Sequence, residues 1–403
     1  MSLVKLSDIA NKITKGTTPH KEAFQGTEIN YIKSESLNYN GYIDSNSFKS
    51  IDIQTHNTIL KRSILKEEDI LVSIAGANLG KIGIISKEML PANTNQAVGI
   101  ISINSNLARS RYVYYYLQQA RIRNIINNSV AQSAQPNLNL AQLGNIKIEL
   151  PKLNQQDKII KVLDIISNKI ELNTHTNNNL YEITNKLYEQ LFVIERQDDW
   201  KEYNLQDLMD ISNGYSYTGK ELVDTSVVGM ATIKNFERTG GFKEEGFKDI
   251  EPIKAKDIHY ADKFDILVAC TDLTQNADII GNAIMLLNIG KYEKVVISMD
   301  LVKILPKKNK YLVFSILNSK EFKNFALGYK TGTTVLHLNK NCFKDFHIKL
   351  PDFDKIENFE KMVETNYKKI SYNLEENNTL TQLRDTLLPK LMNGEIDLDK
   401  IEI

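Results

Sequence analysis

The stretch GANLGKIG (76–83) holds the glycines and lysine of a phosphate loop, in which backbone amides cradle phosphates and the lysine neutralises them. Its spacing ahead of Gly80-Lys81 is wrong for that use, and Ile82 stands where a Ser or Thr must hold magnesium. Because it lies between the β-rich runs DILVSIAG (69–76) and KIGIIS (81–86), a tight strand-to-strand turn is predicted instead. PDFDK (351–355) is the nearest approach to a nuclease carboxylate cluster, yet its counterpart PKLNQ (151–155) lacks the acids, and helix capping accounts for Asp354. The sequence has no [ND]-P-P-[YF] element of the kind that holds a base for amino-group methylation. His20, His56, His175, His259, His337 and His347 show no metal-ligand spacing. Cys270 and Cys342 lack a CxxC or histidine partner and read as two core cysteines of a reducing compartment. Catalysis by this chain alone is not expected, and it is expected to bind neither metal nor cofactor.

What the sequence does contain is a repeat. LNLAQLGNIKIELPKLNQQDKIIKVLDIISNKI (138–170) aligns without gaps on LNKNCFKDFHIKLPDFDKIENFEKMVETNYKKI (338–370), and from 138 to 191 the shift of 200 gives fourteen identities. Average composition would give roughly three. Each copy follows a segment with short β-rich runs: INYI (29–32), AVGIISI (97–103) and NIKIEL (145–150) in the first; DILVACT (265–271), NAIMLLN (282–288) and DFHIKL (345–350) in the second. One helix is predicted over 108–126 and another over 310–327. Both segments read as mixed α and β, giving an α+β fold with boundaries at 1–150, 151–198, 199–350 and 351–403.

Pro151 and Pro351 end the last strand of each segment, and Asn154 and Asp354 are expected as N-caps, with Asp157 and Glu357 completing capping boxes. Apolar spacing then alternates four and three: Ile159, Leu163, Ile166, Ile170, Leu180, Leu187 and Leu191 in the first copy. The second gives Phe359, Val363, Ile370, Leu380, Leu387 and Leu391. That pattern predicts two long α-helices pairing as an antiparallel coiled coil, each about 55 Å at 1.5 Å per residue. Asn173, Asn177, Asn373 and Asn377 fall on the seam, and a pseudo-twofold antiparallel arrangement would set Asn173 against Asn377 and Asn177 against Asn373.

Net charge is zero over 403 residues, but it is unevenly spread. The two mixed segments together carry 37 Lys/Arg against 30 Asp/Glu, and the two helical stretches 13 against 20. A partner with a negative backbone would meet the mixed segments, not the helices. No apolar run approaches the roughly 20 residues of a membrane span. The opening MSLVKLSDIA has no signal-peptide stretch, so a cytoplasmic chain with no membrane partner is expected.

The order of mixed segment, IELPKLNQQDKIIKVL helix, mixed segment, IKLPDFDKIENFEKMV helix resembles the specificity subunits of type I restriction–modification systems. LTQLRDTLLPKLMNGEIDL (380–398) resembles the end of that family's second conserved helix. KGTTP (15–19), DILVSIAGANLGKIGII (69–85) and NTNQAVGI (93–100) resemble elements of its target recognition domains. The second segment departs from the pattern, with CTDLTQNADIIGNAIML (270–286) lacking the Gly-x-x-Gly-Lys turn and SNGYSYTGKEL (212–222) replacing the threonine–proline loop.

The resemblance implies two target recognition domains, each reading half of a bipartite, asymmetric site in double-stranded DNA. The helices would be the spacer between them and the dock for two methyltransferase subunits. Those partners would use S-adenosylmethionine to methylate adenine, and restriction/translocase subunits would use ATP and Mg. Phosphates select Lys, Arg, Ser and Thr on loops, and base edges select Arg, Asn, Gln and Lys. The candidate contacts in the first domain are Lys15, Thr17, Thr18, Lys33, Ser34, Asn78, Lys81, Asn95, Gln96, Ser133 and Gln135. In the second they are Asn213, Tyr215, Tyr217, Lys234, Asn235, Thr271, Asp272, Lys330 and Thr333. Leu163, Ile170, Asn173, Asn177, Leu187, Leu191, Val363, Ile370, Asn373, Asn377, Leu387 and Leu391 are the candidate helix and subunit interface. Two competing classes are a coiled-coil adaptor that binds proteins and a stand-alone methyltransferase or nuclease.

Overall fold

The computed structural model describes residues 2–39, 41–128, 137–238, 240–272, 278–333 and 335–396. They form two compact units, Met1–Glu171 with Thr379–Ile403, and Leu172–Asn378. Each long helix is thus divided between the two units.

In the first unit the β-branched runs build two sheets. Ala10–Lys15 pairs with Val98–Ile103, which pairs with Ile70–Ser73, which pairs with Ile82–Ile84, all antiparallel. Ile29–Ile32 lies between Lys49–Ile51, antiparallel, and Ala92–Thr94, parallel. Ser2–Lys5 closes on Lys147–Leu150. The second unit repeats this order with its own strands: Met209–Asn213, Leu301–Pro306, Ile266–Ala269, Ala283–Met285. Val228–Ala231 again has a parallel neighbour, Lys294–Ile297, and Lys201–Asn204 closes on His347–Leu350. The GANLGKIG stretch is a turn between two antiparallel strands.

Where one helix was expected in each unit, there are two. Ser110–Gln118 is followed by Ala120–Asn128, and Lys310–Asn318 by Lys320–Leu327. Apolar spacing is blind to the breaks because the linking residues keep the phase while turning extended. Gln119 (ψ 138°) returns its Nε2 to the Tyr116 carbonyl at 3.2 Å. Ser319 (ψ 149°) restarts the helix by accepting the Phe322 amide on Oγ at 3.1 Å.

The long helices run Leu153–Tyr188, continuing into a π-turn over Glu189–Ile194, and Phe353–Met392. They start earlier than the capping pattern suggested, so Asn154 and Asp354 lie inside the first turn and do not cap it. The Lys152 carbonyl accepts the amides of Gln155 (2.9 Å) and Gln156 (3.0 Å). The fully buried Gln156 draws the start forward by donating Nε2 to the Pro151 carbonyl at 2.9 Å. Asp157 and Glu357, displaced from the capping-box position, bind Arg109 (2.8 Å) and Lys361 (2.7 Å) instead.

In the second unit the two helices pair in opposite directions. Asn173 donates to Asn377 Oδ1 at 2.9 Å, Asn373 to Asn177 Oδ1 at 2.7 Å, and Asn366 to Thr184 at 3.2 Å. Tyr181 meets Tyr367 edge-on at 5.9 Å. Val363 and Ile370 are buried in one core with Phe359, Tyr188 and Phe192, and Leu187 and Leu191 pack against it half-buried. In the first unit Ile159 and Leu163 share a core with Leu388, Leu391 and Met392, against which Leu387 packs. Ile170 is buried too. Burial follows the repeat, with 159/359, 163/363, 170/370, 173/373, 184/384, 188/388 and 192/392 all buried.

Asn373 Oδ1 is buried without a partner, so its seam position is only half satisfied. Asn373→Leu alone, by stranding Asn177 as well, is expected to destabilise the chain by about 1–3 kcal/mol. The double change Asn177→Leu/Asn373→Leu should recover that loss or exceed wild type, with urea unfolding of the four proteins closing the cycle.

Candidate nucleic-acid interface

The registers gather loops at one end of each unit. In the first, Lys15 pairs with Gly99, Ser73 with Val98 and Val72 with Ile82, so two strands end and two begin at the same rim. The parallel pair of the other sheet ends there also, at Ile32 and Thr94. Two amides stitch the sheets together: Gly16 donates to the Val98 carbonyl and Thr17 to the Thr94 carbonyl, each at 3.0 Å. The approach is so close that a Cβ on Gly16 would lie 2.2 Å from the carbonyl oxygens of Thr94 and Asn95. Only glycine fits.

That rim brings together Lys15, Thr17, Thr18, Lys33, Ser34, Asn78, Lys81, Asn95 and Gln96. Ser133 and Gln135 lie outside the described residues, though the Leu138 amide donates to the Ile74 carbonyl (2.8 Å) and ties the chain beyond them to the same edge. Lys15, Thr18 and Gln96 are exposed, while Ser34 is buried. Lys33 is held by Glu35 at 3.2 Å, and Thr17 Oγ1 accepts Arg62 Nε at 2.9 Å. The Lys81 ammonium sits 5.6 Å from the Tyr39 ring centroid, and the Tyr39 hydroxyl donates to the Leu79 carbonyl at 3.3 Å.

The second unit makes the same rim. Asn213 pairs with Val302, Ala269 with Leu301 and Val268 with Ala283, while Ala231 and Ile297 end the parallel pair. The stitch recurs, with Gly214 donating to the Leu301 carbonyl (3.2 Å) and Tyr215 to the Ile297 carbonyl (2.7 Å). A Cβ on Gly214 would come 2.0 Å from the Ser298 carbonyl oxygen. A short sheet, Thr271–Asp272 with Leu336–Leu338 and Lys330–Thr331, adds Lys330 and Thr333, both exposed.

Here several candidates turn inward. Asn235 is fully buried, accepting the Thr232 amide and donating to the Lys243 carbonyl, both at 2.8 Å. Thr271 and Asp272 are buried, and Asp272 accepts the Ile279 amide at 2.9 Å. Tyr215 is buried and donates to Glu221 at 2.5 Å. These side chains shape the rim from beneath. Lys234 is exposed, Tyr217 half-buried, and Asn213 Oδ1 accepts Lys340 Nζ at 2.5 Å.

Sequence reasoning missed a hairpin in each unit. Leu37 bridges to Ile43 and Phe236 to Phe242, which exposes Tyr39 and Arg238 at equivalent tips. In the second unit Lys234, Arg238, Lys243, Glu237, Asp272 and Asp278 line an open groove of about 690 Å³. Charge of both signs suits base edges as well as phosphates.

Cys270 and Cys342 are free and buried, and burial pushes both thiols up to about 12. Among the described residues no His/Cys/Asp/Glu group could hold a metal, and no helix is long and apolar enough to cross a membrane.

Residues 1–182 match the family model of the type I restriction modification DNA specificity domain. The chain is similar to the MjaIX specificity subunit of Methanocaldococcus jannaschii, at 22% identity over 98% of this chain and 94% of the relative. Similarity to the HindI specificity subunit of Haemophilus influenzae is 22% over 83% and 88% of the respective lengths. The fold is like that of a type I restriction–modification S subunit from M. genitalium, with TM-score 0.53 and 16% identity, covering 97% of this chain and 95% of the other.

Two outcomes follow from the rim geometry. Gly16→Ala and Gly214→Ala are expected to destabilise their units by about 1–3 kcal/mol through overpacking, whereas Gly219→Ala, with nothing within 4 Å, should leave the thermal midpoint unchanged. Acid should also loosen the second rim. The Tyr215 hydroxyl and the Thr218 and Ile253 amides hold the Glu221 carboxyl at about 2, below its ordinary 4.5. A lowered folded value means stability present above pH 4.5 that is lost as pH falls towards 2. Glu221→Gln should remove that part of the acid dependence in thermal scans.

Proposed function

We propose that this chain is a type I restriction–modification specificity subunit, that it recognises a bipartite, asymmetric DNA sequence and that it is not itself catalytic. The rim of each unit reads one half-site, so that target recognition domains at 1–150 and 199–350 alternate with helical spacers at 151–198 and 351–403. The spacers form one antiparallel coiled coil related by a pseudo-twofold axis. One observation carries the reading: the same strand order builds a rim twice, and the two rims present unlike side chains.

The helices support a docking role. Leu172 and Tyr372 are 61% and 58% exposed, and Ile183 and Leu383 are 53% and 45% exposed. All four lie outside the seam, at two positions related by the shift of 200. An outward apolar stripe duplicated in this way suits two copies of one partner. In this reading the partners are two methyltransferase subunits, with restriction/translocase subunits joining for cleavage. They bring S-adenosylmethionine, ATP and Mg to cytoplasmic DNA, and this chain binds none of these.

Lys81→Ala is expected to weaken binding to all DNA sequences and to reduce the slope of log K against log salt by about 1, while Gln96→Ala relaxes one base position. Gel shifts at several salt concentrations measure both. In the host, a bipartite methyladenine motif should vanish when the gene is deleted. Retention on DNA indifferent to salt would favour the coiled-coil adaptor.

A further inference from the structure

We propose that Glu244 is a specificity-determining positioning residue, a strut that fixes the second reading rim on the second long helix and so sets the spacing between half-sites. The inference rests on the DNA-specificity reading above.

The 232–246 segment carries Lys234 and Arg238, both exposed at the groove. Lys243, Glu245 and Gly246 line the groove as well, while the Glu244 side chain between them does not. Its carboxylate oxygens accept Asn378 Nδ2 at 2.9 and 3.0 Å, and Oε2 also accepts Asn288 Nδ2 at 2.9 Å. Asn288 is itself fixed, its Oδ1 accepting the Gly290 amide at 3.0 Å. Gly290 lies so near that a Cβ there would be 2.8 Å from Glu244 Oε1. The carboxylate is therefore gripped by Asn288 on one side and by Asn378 of the helix on the other, and takes no part in lining the groove.

Two further contacts tie this unit to the same helix. Ser371 Oγ donates to the Leu287 carbonyl at 2.6 Å, and Lys263 pairs with Glu375 at 2.6 Å. Residues 371, 375 and 378 follow a four-three spacing and share one helix face. Of the three, only the Asn378 contact begins in the segment that lines the groove. Neither of the others would hold that segment if Glu244 let go.

Adjacent base pairs differ by about 3.4 Å of rise. A reading surface that moved by that much would accept a spacer one base pair longer or shorter with both half-sites unchanged. Side chains that read bases fix sequence; a strut beneath them fixes distance.

The test uses host cells carrying the intact system with wild-type chain, Glu244→Gln, Asn378→Ala or Lys263→Ala, mapping methylated adenines across the genome. Glu244→Gln keeps the size but turns an amide donor towards an amide donor, and Asn378→Ala removes the strut from the helix side. Both are expected to keep the two half-site sequences while the ratio of off-spacer to native-spacer methylation rises about tenfold, the order allowed by losing a hydrogen bond to a charged group. Lys263→Ala should keep the native spacer alone. Unchanged spacing in both strut variants, whether methylation is retained or merely falls, overturns the inference and leaves the DNA-specificity reading standing. A wild-type genome without any bipartite motif overturns both.

Discussion

The fold depends on two long helices keeping one register, and apolar packing alone does not hold it. A seam of Leu, Ile and Val with four-three spacing is nearly as well filled after a slip of one heptad. The asparagine pairs are not so tolerant. A slip of seven residues sets Asn173 against Ile370, leaving a buried amide unpaired at about 1–3 kcal/mol. The seam gives up some stability there, as the unpaired Asn373 Oδ1 indicates, and in return only one alignment is good.

Each unit grips the helices with a short helix whose N-terminal amides meet a long-helix side chain. The chemistry differs between units, and so do the positions that make the contact. In the first, Gln156 accepts the Arg109 amide at 2.8 Å, and Asp164 takes Arg111 at 2.9 Å and the Tyr115 hydroxyl at 2.7 Å. In the second, Glu360 accepts the Leu312 amide at 2.5 Å, where the helix dipole favours its charge, and Tyr367 stacks on Tyr311 at 5.9 Å. Partly exposed ion pairs contribute little, so the buried Gln156 and the aromatic stack carry these joints.

The repeat, the helices and most of the strands were legible because they rest on local patterns: Leu-Pro junctions, four-three spacing, β-branched runs. The helix breaks at Gln119 and Ser319 were not, since each depends on one residue turning extended without disturbing the apolar phase. Helix starts were displaced by Gln156, whose fully buried amide has partners 5 and 47 residues away. At the rims, residue type picked out loops that the fold gathers at one end of each unit, but not the direction of side chains. Asn235 and Asp272 look like base readers in sequence; in the fold they satisfy the amides of Thr232 and Ile279. Tyr39 and Arg238 escaped notice, despite the turn-forming Asn40-Gly41 and Gly240-Gly241, because their hairpins are closed by isolated bridges and not by strands.

The two rims share a backbone frame, so their residues can be matched by register and not by resemblance. With Gly16 opposite Gly214 in that frame, Lys15 corresponds to Asn213, and the last parallel pairs, Ile32–Thr94 and Ala231–Ile297, match Gln96 with Met299. The hairpin bridges match Tyr39 with Arg238. A cation faces an amide, an amide faces an exposed thioether, and an aromatic faces a guanidinium. Major-groove edges differ by where donors, acceptors and methyl groups sit, so surfaces this unlike cannot complement the same edges through one frame. If each rim reads DNA, the half-sites differ. On that reading the duplicated parts, the Leu-Pro junctions and the seam, would fix distance, and the parts that diverged would touch bases.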